Sequence, residues 1–139
     1  MIIKLSLLIL WMSTALLEGT RDGFFYYARN TSANPDNKNI HWIFALERLV
    51  IISLIGWIHI LSYSILNTGV FVISLILIFS WFHNGIYYKT RNYLDKNVYP
   101  KGWFDSSTTS ESMLEFSVAG RMFMAITGFI GIIASFTFK

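Results

Sequence analysis

Four long apolar runs, separated by short polar stretches, dominate the pattern of hydrophobic and polar positions along the chain. The runs cover about 2–29, 40–65, 70–95 and 108–138. Each has at least the ~20 residues that an α-helix needs to cross the hydrocarbon core of a bilayer. The pattern therefore predicts an all-α integral membrane protein. We expect a bundle of four antiparallel transmembrane helices that forms a single domain over 1–139.

The polar stretches between the runs carry turn and helix-start signals. Residues 30–39 contain an Asn-Pro-Asp sequence, and 96–110 contain proline, glycine and several hydroxyl residues, so both predict loops. Asn67-Thr68-Gly69 predicts the tight turn between the second and third helices. Thr108-x-x-Glu111 and Ser112-x-x-Glu115 both fit the capping box, which predicts that the last helix begins near residue 108.

The first apolar run has two interpretations. Lys4 precedes a short hydrophobic stretch, and Ser13-Thr14-Ala15 loosely fits the small-residue rule for signal-peptide cleavage. No proline interrupts the chain as far as Arg29, however, so the same run predicts a first membrane helix that continues into an aromatic interfacial segment.

Composition excludes several classes of function. The chain has 139 residues, of which 54% are hydrophobic and only 14% charged, too few charges for a soluble surface. The absence of cysteine excludes disulfides, thiolate metal sites and thiol nucleophiles. The net charge of +3 is spread over the loops without a basic face, so we expect no nucleic-acid partner.

Ionisable residues inside the apolar runs are the main candidates for chemistry. Glu18 and Asp22 are neighbours on one helix face, and the second run contains Glu47, Arg48 and His59. Charge at membrane depth is costly unless it is paired or hydrated, so these groups should converge. Antiparallel threading places most of them near the end of the bundle that carries 30–39 and 96–110, which we call the charged end. Only His59 is expected near the opposite end.

The candidate ligand-binding or ion-binding residues are those expected to converge at the charged end. Arg21 and Arg29 are interpreted instead as solvated interfacial residues. The candidates are Glu18, Asp22, Glu47, Arg48, His83, Asn84, Tyr87, Arg91 and Arg121. Glu18, Asp22, Glu47 and His83 are weak candidates for a metal site, because no Glu-x-x-His pair is present. No cofactor is identified, and haem is disfavoured because His41 lies at the boundary of its span and His59 has no partner histidine.

Three functions remain open from these residues. The first is binding or translocation of a small ion or polar solute in an intramembrane ionisable chamber. The second is an intramembrane enzyme, either metal-dependent or with His83 as acid or base, acting on a lipid or another membrane-soluble substrate. The third is an accessory subunit in which Arg48, Arg91 and Arg121 neutralise the carboxylates for purely structural reasons.

Location and partners follow from charge and small-residue patterns. Basic residues are concentrated near the charged end, so the positive-inside rule places that end in the cytoplasm, in a cell inner or plasma membrane. The lipid bilayer is the expected partner. Thr127, Gly131 and Ser135 repeat every four residues on the last helix, a spacing that allows close helix packing. Their face can pack within the chain, against a second copy or against another membrane subunit.

Overall fold

The computed structural model describes residues 1–31, 39–94, 96 and 117–137, and all regular structure within these ranges is helical. The helices are α1 (Ile2–Thr31), α2 (Asn39–Ile60), α3 (Ile65–Leu94) and α4 (Val118–Thr137). All four are long and apolar enough to cross a membrane. The all-α prediction and the prediction of four such helices are therefore confirmed.

The turn between α2 and α3 lies earlier than the sequence pattern predicts. The chain turns at 61–64, and α3 already begins at Ile65, so Asn67-Thr68-Gly69 is helical and the predicted turn is wrong. Ser64 supplies the helix cap, since its Oγ accepts the backbone N–H of Asn67 at 3.3 Å. Asn67 and Thr68 are buried and bind partners within the protein, which explains why polar residues stand at this point.

The start of the last helix shows the same type of cap. The described part of this helix begins at Val118, and Ser117 Oγ accepts the backbone N–H of Gly120 at 3.1 Å. The predicted capping boxes at Thr108–Glu111 and Ser112–Glu115 lie outside the described residues, so the predicted beginning near residue 108 stays a prediction.

Helix α3 is central and packs on all three other helices. Its buried side chains Phe71, Leu75 and Ile78 form the core together with Trp11 of α1, Ile55 of α2 and Ile132 of α4. The Trp11 indole donates a hydrogen bond to the Leu75 carbonyl at 2.7 Å, which links α1 to the middle of α3. The apolar core therefore surrounds the middle of α3, and polar contacts lie towards its two ends.

The contacts follow a regular order along the helices. On α1 and α3 the residue numbers in contact rise together, from Lys4 beside Asn67 to Asp22 beside His83. On α3 and α4 they run in opposite order: Asn67 binds the Ser135 carbonyl, and Ser80 binds Arg121. Asp22 of α1, His83 of α3 and Arg121 of α4 are thereby brought to the same end of the structure.

Two glycines let α1 approach α3 closely. A methyl group at Gly23 would lie 2.8 Å from Thr90 Cβ and Cγ2, and one at Gly19 would collide with the His83 carbonyl oxygen and the Ile86 side chain. These separations are too short for any side chain. The backbones therefore meet where α1 carries its carboxylates.

Helix α4 uses small residues in the same way, but not the predicted set. Gly128 lies against Ser74 and Ile78, Gly131 lies against Ser74, and Ser135 is buried. Thr127 is exposed, so its assignment to this packing face is wrong. A period of ~3.6 residues per turn brings Gly128 rather than Thr127 onto the face of Gly131 and Ser135. This face packs against α3 of the same chain.

Gly23→Ala should destabilise the protein by about 1–3 kcal/mol, because the new methyl group overpacks the contact with Thr90. The free energy of unfolding in detergent measures the effect. Gly69→Ala is the matched control: nothing lies within 4 Å of its added methyl group, so higher helix propensity should stabilise the variant by about 0.5–1 kcal/mol. Equal effects of the two substitutions would contradict the close approach of α1 and α3.

Candidate functional site

Two ion pairs connect α1 and α2 near the charged end. The inner pair joins Arg48 Nε to Glu18 Oε2 at 2.6 Å, and Glu18 is only 3% exposed. The outer pair joins Arg21 Nη1 to Glu47 Oε2 at 3.1 Å, and their side chains are 41% and 42% exposed. The inner pair therefore has one buried partner, Glu18, whereas both partners of the outer pair lie at the surface.

Asp22 connects the two pairs to α3. Its Oδ2 lies 3.0 Å from His83 Nε2 and 3.8 Å from Arg48 Nη2, and its Oδ1 lies 3.4 Å from Arg21 Nε. Arg48 Nη2 is in turn 3.2 Å from His83 Nε2. Asp22 and Arg48 thus both face the same nitrogen of the His83 ring.

Hydrogen bonds extend this arrangement from α3 to α4. His83 Nδ1 lies 3.1 Å from Asn84 Oδ1, and Asn84 Nδ2 donates to Ser80 Oγ at 3.2 Å. Arg121 Nη1 donates to the same hydroxyl oxygen at 3.4 Å. We call this connected set the polar network; it comprises Glu18, Arg21, Asp22, Glu47, Arg48, Ser80, His83, Asn84 and Arg121.

Aromatic rings separate the polar network from the apolar core. Phe79 stacks on the His83 ring at a centroid distance of 5.3 Å, and the Arg48 guanidinium lies 4.8 Å from the centre of the Phe79 ring. The Trp11 ring also contacts Phe79, at a centroid distance of 5.1 Å. Phe79 therefore covers the charged groups on the side that faces the middle of the structure.

One oxygen of the network has no hydrogen-bond partner. Glu18 Oε1 is buried, and no donor reaches it among the residues that the structure describes. A buried carboxylate oxygen without a donor is costly, because burial removes its bonds to water. Glu18 thus offers a free acceptor beside the Arg48 guanidinium.

The structure brings most of the predicted candidates together. Tyr87 and Arg91 lie further along α3, where both are buried and the Arg91 guanidinium is 5.9 Å from the centre of the Tyr87 ring. The other seven candidates, which all belong to the polar network, are Glu18, Asp22, Glu47, Arg48, His83, Asn84 and Arg121.

Arg21 was not among the candidates, and its side chain is 41% exposed, in agreement with its interpretation as a solvated residue. It bridges Asp22 and Glu47. Its position three residues after Glu18 and beside Asp22 was the available signal.

The described acids and histidines do not form a metal-ligand set. Within 1–31, 39–94 and 117–137, no three His, Asp or Glu side chains are grouped so that they could hold a metal ion. Glu18, Asp22, Glu47 and His83, the weak metal candidates, contact arginines and one another instead. The side chain of His41, which entered the argument about haem, lies outside the described ones.

A second polar group, built around Lys4, lies at the opposite end. Lys4 is 2% exposed, and its ammonium donates hydrogen bonds to Asn67 Oδ1 at 3.0 Å and to the Ser135 carbonyl. Asn67 Nδ2 donates to the same carbonyl at 3.1 Å, and the Tyr63 ring lies 3.9 Å from the ammonium. Carbonyls in the last turn of a helix lack backbone partners and carry partial negative charge, so Lys4 caps α4.

His59 belongs to the same region, as predicted for the opposite end. Its Nδ1 lies 2.8 Å from Thr68 Oγ1, and its ring stacks between Tyr63 at 4.5 Å and Phe71 at 4.6 Å. The Nε2 atom is buried and has no hydrogen-bond partner among the described residues. Lys4 and Asn67 are buried in the same region, and their burial was not predicted. This polar group was not evident from the sequence, because the partners of Lys4 and Asn67 come from three helices.

An apolar layer separates the two polar regions. Thr68 and His83 are fifteen residues apart on α3, which corresponds to about 22 Å at ~1.5 Å per residue. Phe71, Leu75 and Ile78 lie between them and are fully buried. The polar network is therefore a feature of one end of the structure.

The inner ion pair should stabilise the protein more than the outer pair does. A double-mutant cycle with Glu18→Gln and Arg48→Gln should give a coupling free energy of about 1–2 kcal/mol, because Glu18 is buried although Arg48 is 33% exposed. The matched cycle with Arg21→Gln and Glu47→Gln should give about 0.2–1 kcal/mol, since water screens both groups. Unfolding free energies measure both, and an outer coupling equal to or above the inner one would contradict this ranking.

Asn67→Leu should cost about 1–3 kcal/mol of stability, because the buried Lys4 ammonium loses an acceptor. The double variant Lys4→Met/Asn67→Leu replaces both partners by apolar groups and should recover most of that loss. Thermal unfolding of the two variants and the parent protein tests this. A double variant that is less stable than Asn67→Leu alone would show that Lys4 stabilises the fold by other means.

No family model, no curated protein and no solved structure matches this chain. Neither an activity nor a ligand can be transferred to it from a relative. The chemistry of the polar network, with its connected carboxylates, arginines and one histidine, is the basis on which a function can be inferred.

Proposed function

We propose that this chain is an integral membrane protein whose four helices cross the bilayer in antiparallel order as one domain. Many large apolar side chains are exposed on the outer helices, among them Leu46, Leu54 and Trp57 on α2 and Phe123 and Ile130 on α4. Such surfaces favour lipid over water as the surrounding medium. The order of contacts between the helices supports the antiparallel arrangement.

We further propose that the polar network binds one small monovalent cation. The buried carboxylates of Glu18 and Asp22 carry two negative charges, and both lie beside the Arg48 guanidinium, which carries one positive charge. Arg21 also contacts Asp22, but it pairs with the exposed Glu47, and these two charges balance each other. With His83 neutral, this part of the network has an excess of one negative charge. An uncompensated charge is costly in hydrocarbon surroundings. This imbalance is the observation that carries the proposal, because one added positive charge removes it.

The unpartnered oxygen of Glu18 supports the same function. Oε1 is buried next to the ion pair that Oε2 makes with Arg48, so a cation there would gain a ligand that no protein donor occupies. The half-exposed pair of Arg21 and Glu47 offers a path from water at the charged end. On the basis of its basic loops, we propose that this end faces the cytoplasm.

Binding from one end is better supported than translocation through a single chain. Between Thr68 and Ser80, α3 presents the buried Phe71, Leu75 and Ile78, and the buried hydroxyl of Ser74 in this stretch already donates to the Val70 carbonyl. A permeating ion would therefore find little polarity there. An enzyme is also less well supported, because both ring nitrogens of His83 already face groups of the network. The following experiment distinguishes cation binding from the third possibility, an accessory subunit in which the network has a purely structural role.

Cation-dependent stability tests the proposal. The protein in lipid nanodiscs should gain stability with rising concentration of one monovalent cation, either H⁺, Na⁺ or K⁺, by about 2.7 kcal/mol at 100 times the dissociation constant. N-methylglucamine at equal ionic strength serves as the non-binding reference. Glu18→Gln removes the excess charge and should abolish the gain. Glu47→Gln removes a charge that water already screens and should retain most of it.

A parent protein that gains no stability from any of these cations would contradict the binding function. If, in addition, Glu18→Gln lowers stability by the same amount at every cation concentration, the network has a structural role only. Loss of the gain in Glu47→Gln but not in Glu18→Gln would place the cation at the surface pair rather than at the buried carboxylate.

A further inference from the structure

We infer that α1 and α3 together form a binding site for a guanidinium group. The Arg48 side chain of α2 fills this site in the structure, and a small guanidinium compound from the water at the charged end can take its place. The inference rests on the proposed function in taking the polar network as a cation-binding site, and it adds the class of the ligand. We call Glu18, Asp22, Phe79 and His83 the guanidinium site.

The contacts of the Arg48 side chain are those by which proteins recognise a guanidinium group. Its Nε donates to Glu18 Oε2 at 2.6 Å, and its central carbon lies over the Phe79 ring, 4.8 Å from the ring centre. Its Nη2 lies 3.2 Å from His83 Nε2 and 3.8 Å from Asp22 Oδ2. Carboxylates that face the N–H groups and a ring that faces the plane suit a guanidinium group better than a spherical ion.

The four residues of the guanidinium site belong to α1 and α3, and contacts other than those of Arg48 hold these two helices together. Gly23 packs against Thr90 so closely that a methyl group would not fit. The Trp11 indole donates to the Leu75 carbonyl at 2.7 Å. Helix α2 therefore supplies the occupant of the guanidinium site but none of the four residues that form it.

Arg48 leaves part of the guanidinium site without a donor. Glu18 Oε1 is buried, and no hydrogen-bond donor reaches it within the part of the chain that the structure describes. Arg48 Nε has a single N–H, which Glu18 Oε2 already accepts, and Nη2 lies beside Asp22 and His83 instead. A guanidinium compound that is not tied to α2 can place two N–H groups on the two Glu18 oxygens, the bidentate arrangement in which such pairs are strongest.

Arg48 can leave the guanidinium site towards water. Its side chain is 33% exposed, whereas the side chain of Glu18 is 4% exposed. When a ligand displaces Arg48, the inner ion pair between α1 and α2 is broken. Among the described residues, the exposed pair of Arg21 and Glu47 then remains as the ion pair that joins these two helices. Binding of the ligand would thus weaken the attachment of α2 near the charged end.

Chemical rescue of Arg48→Ala in lipid nanodiscs tests the inference. This variant keeps the guanidinium site but lacks its occupant, so it should be less stable than the parent protein. Methylguanidinium at millimolar concentration should raise the Tm of the variant by at least about 3 °C, and the rise should saturate, because the ligand binds only the folded state. Tetramethylammonium at the same concentration has the same charge but no N–H donor, and it should leave the Tm unchanged.

Arg21→Ala is the matched control. It also removes a guanidinium group that pairs with a glutamate and lies over an aromatic ring, here Phe44 at 4.0 Å. Both partners of that pair are exposed, so water replaces the lost group and methylguanidinium should not raise the Tm. Glu18→Gln/Arg48→Ala lacks the buried carboxylate and should not respond either. If Arg48→Ala does not fold, Arg48→Lys keeps the charge without the planar group and should show the same rise.

An unchanged Tm of the folded Arg48 variant, or an equal rise in Arg21→Ala, would overturn the inference. If Na⁺ or K⁺ nevertheless stabilises the parent protein and Glu18→Gln abolishes that gain, the proposed cation-binding function stands and only the guanidinium class of the ligand is wrong. If methylguanidinium rescues the Arg48 variant whereas H⁺, Na⁺ and K⁺ do not stabilise the parent protein, the guanidinium site stands and the proposed binding of an inorganic cation fails. If neither effect is seen, both proposals fail.

Discussion

The close approach of α1 and α3 at Gly19 and Gly23 is the constraint on which the polar network depends. With no side chain at either position, the backbone of α1 lies directly against α3 around the His83 carbonyl and Thr90. Asp22 is on the same stretch of α1 as both glycines, so its carboxylate meets the His83 ring at 3.0 Å. A side chain at either glycine would push the two helices apart. The contact between Asp22 and His83 would then be longer than a hydrogen bond allows.

Helix α2 is attached to this α1–α3 pair by both apolar and polar contacts. Among its described side chains, only Ile52, Ile55 and His59 are buried. Arg48 binds it to Glu18 near one end, and His59 binds it near the other. A change of charge at Arg48 or Glu18 would therefore weaken the attachment of α2 near one end.

The two polar regions have different physical roles. Lys4 caps the end of α4 with hydrogen bonds that leave its ammonium no free face among the described groups, so it joins α1, α3 and α4 without offering a ligand site. The polar network, by contrast, retains a buried carboxylate oxygen on Glu18 that no donor reaches among the described residues. The apolar layer between them keeps these roles apart.

The sequence by itself determined the class of the fold and the general place of the site. Apolar runs of sufficient length predict four helices, and the cost of buried charge predicts that Glu18, Arg48 and His83 converge, because both rules depend only on residue type and spacing. The tertiary structure decided which side chains pair. Arg21 contacts Asp22 and Glu47, and the buried Lys4 ammonium binds the Ser135 carbonyl. Which side chains pair depends on which helices are neighbours and on how each helix is rotated about its axis. Contacts at small residues set both, and these contacts join residues that lie far apart in the sequence.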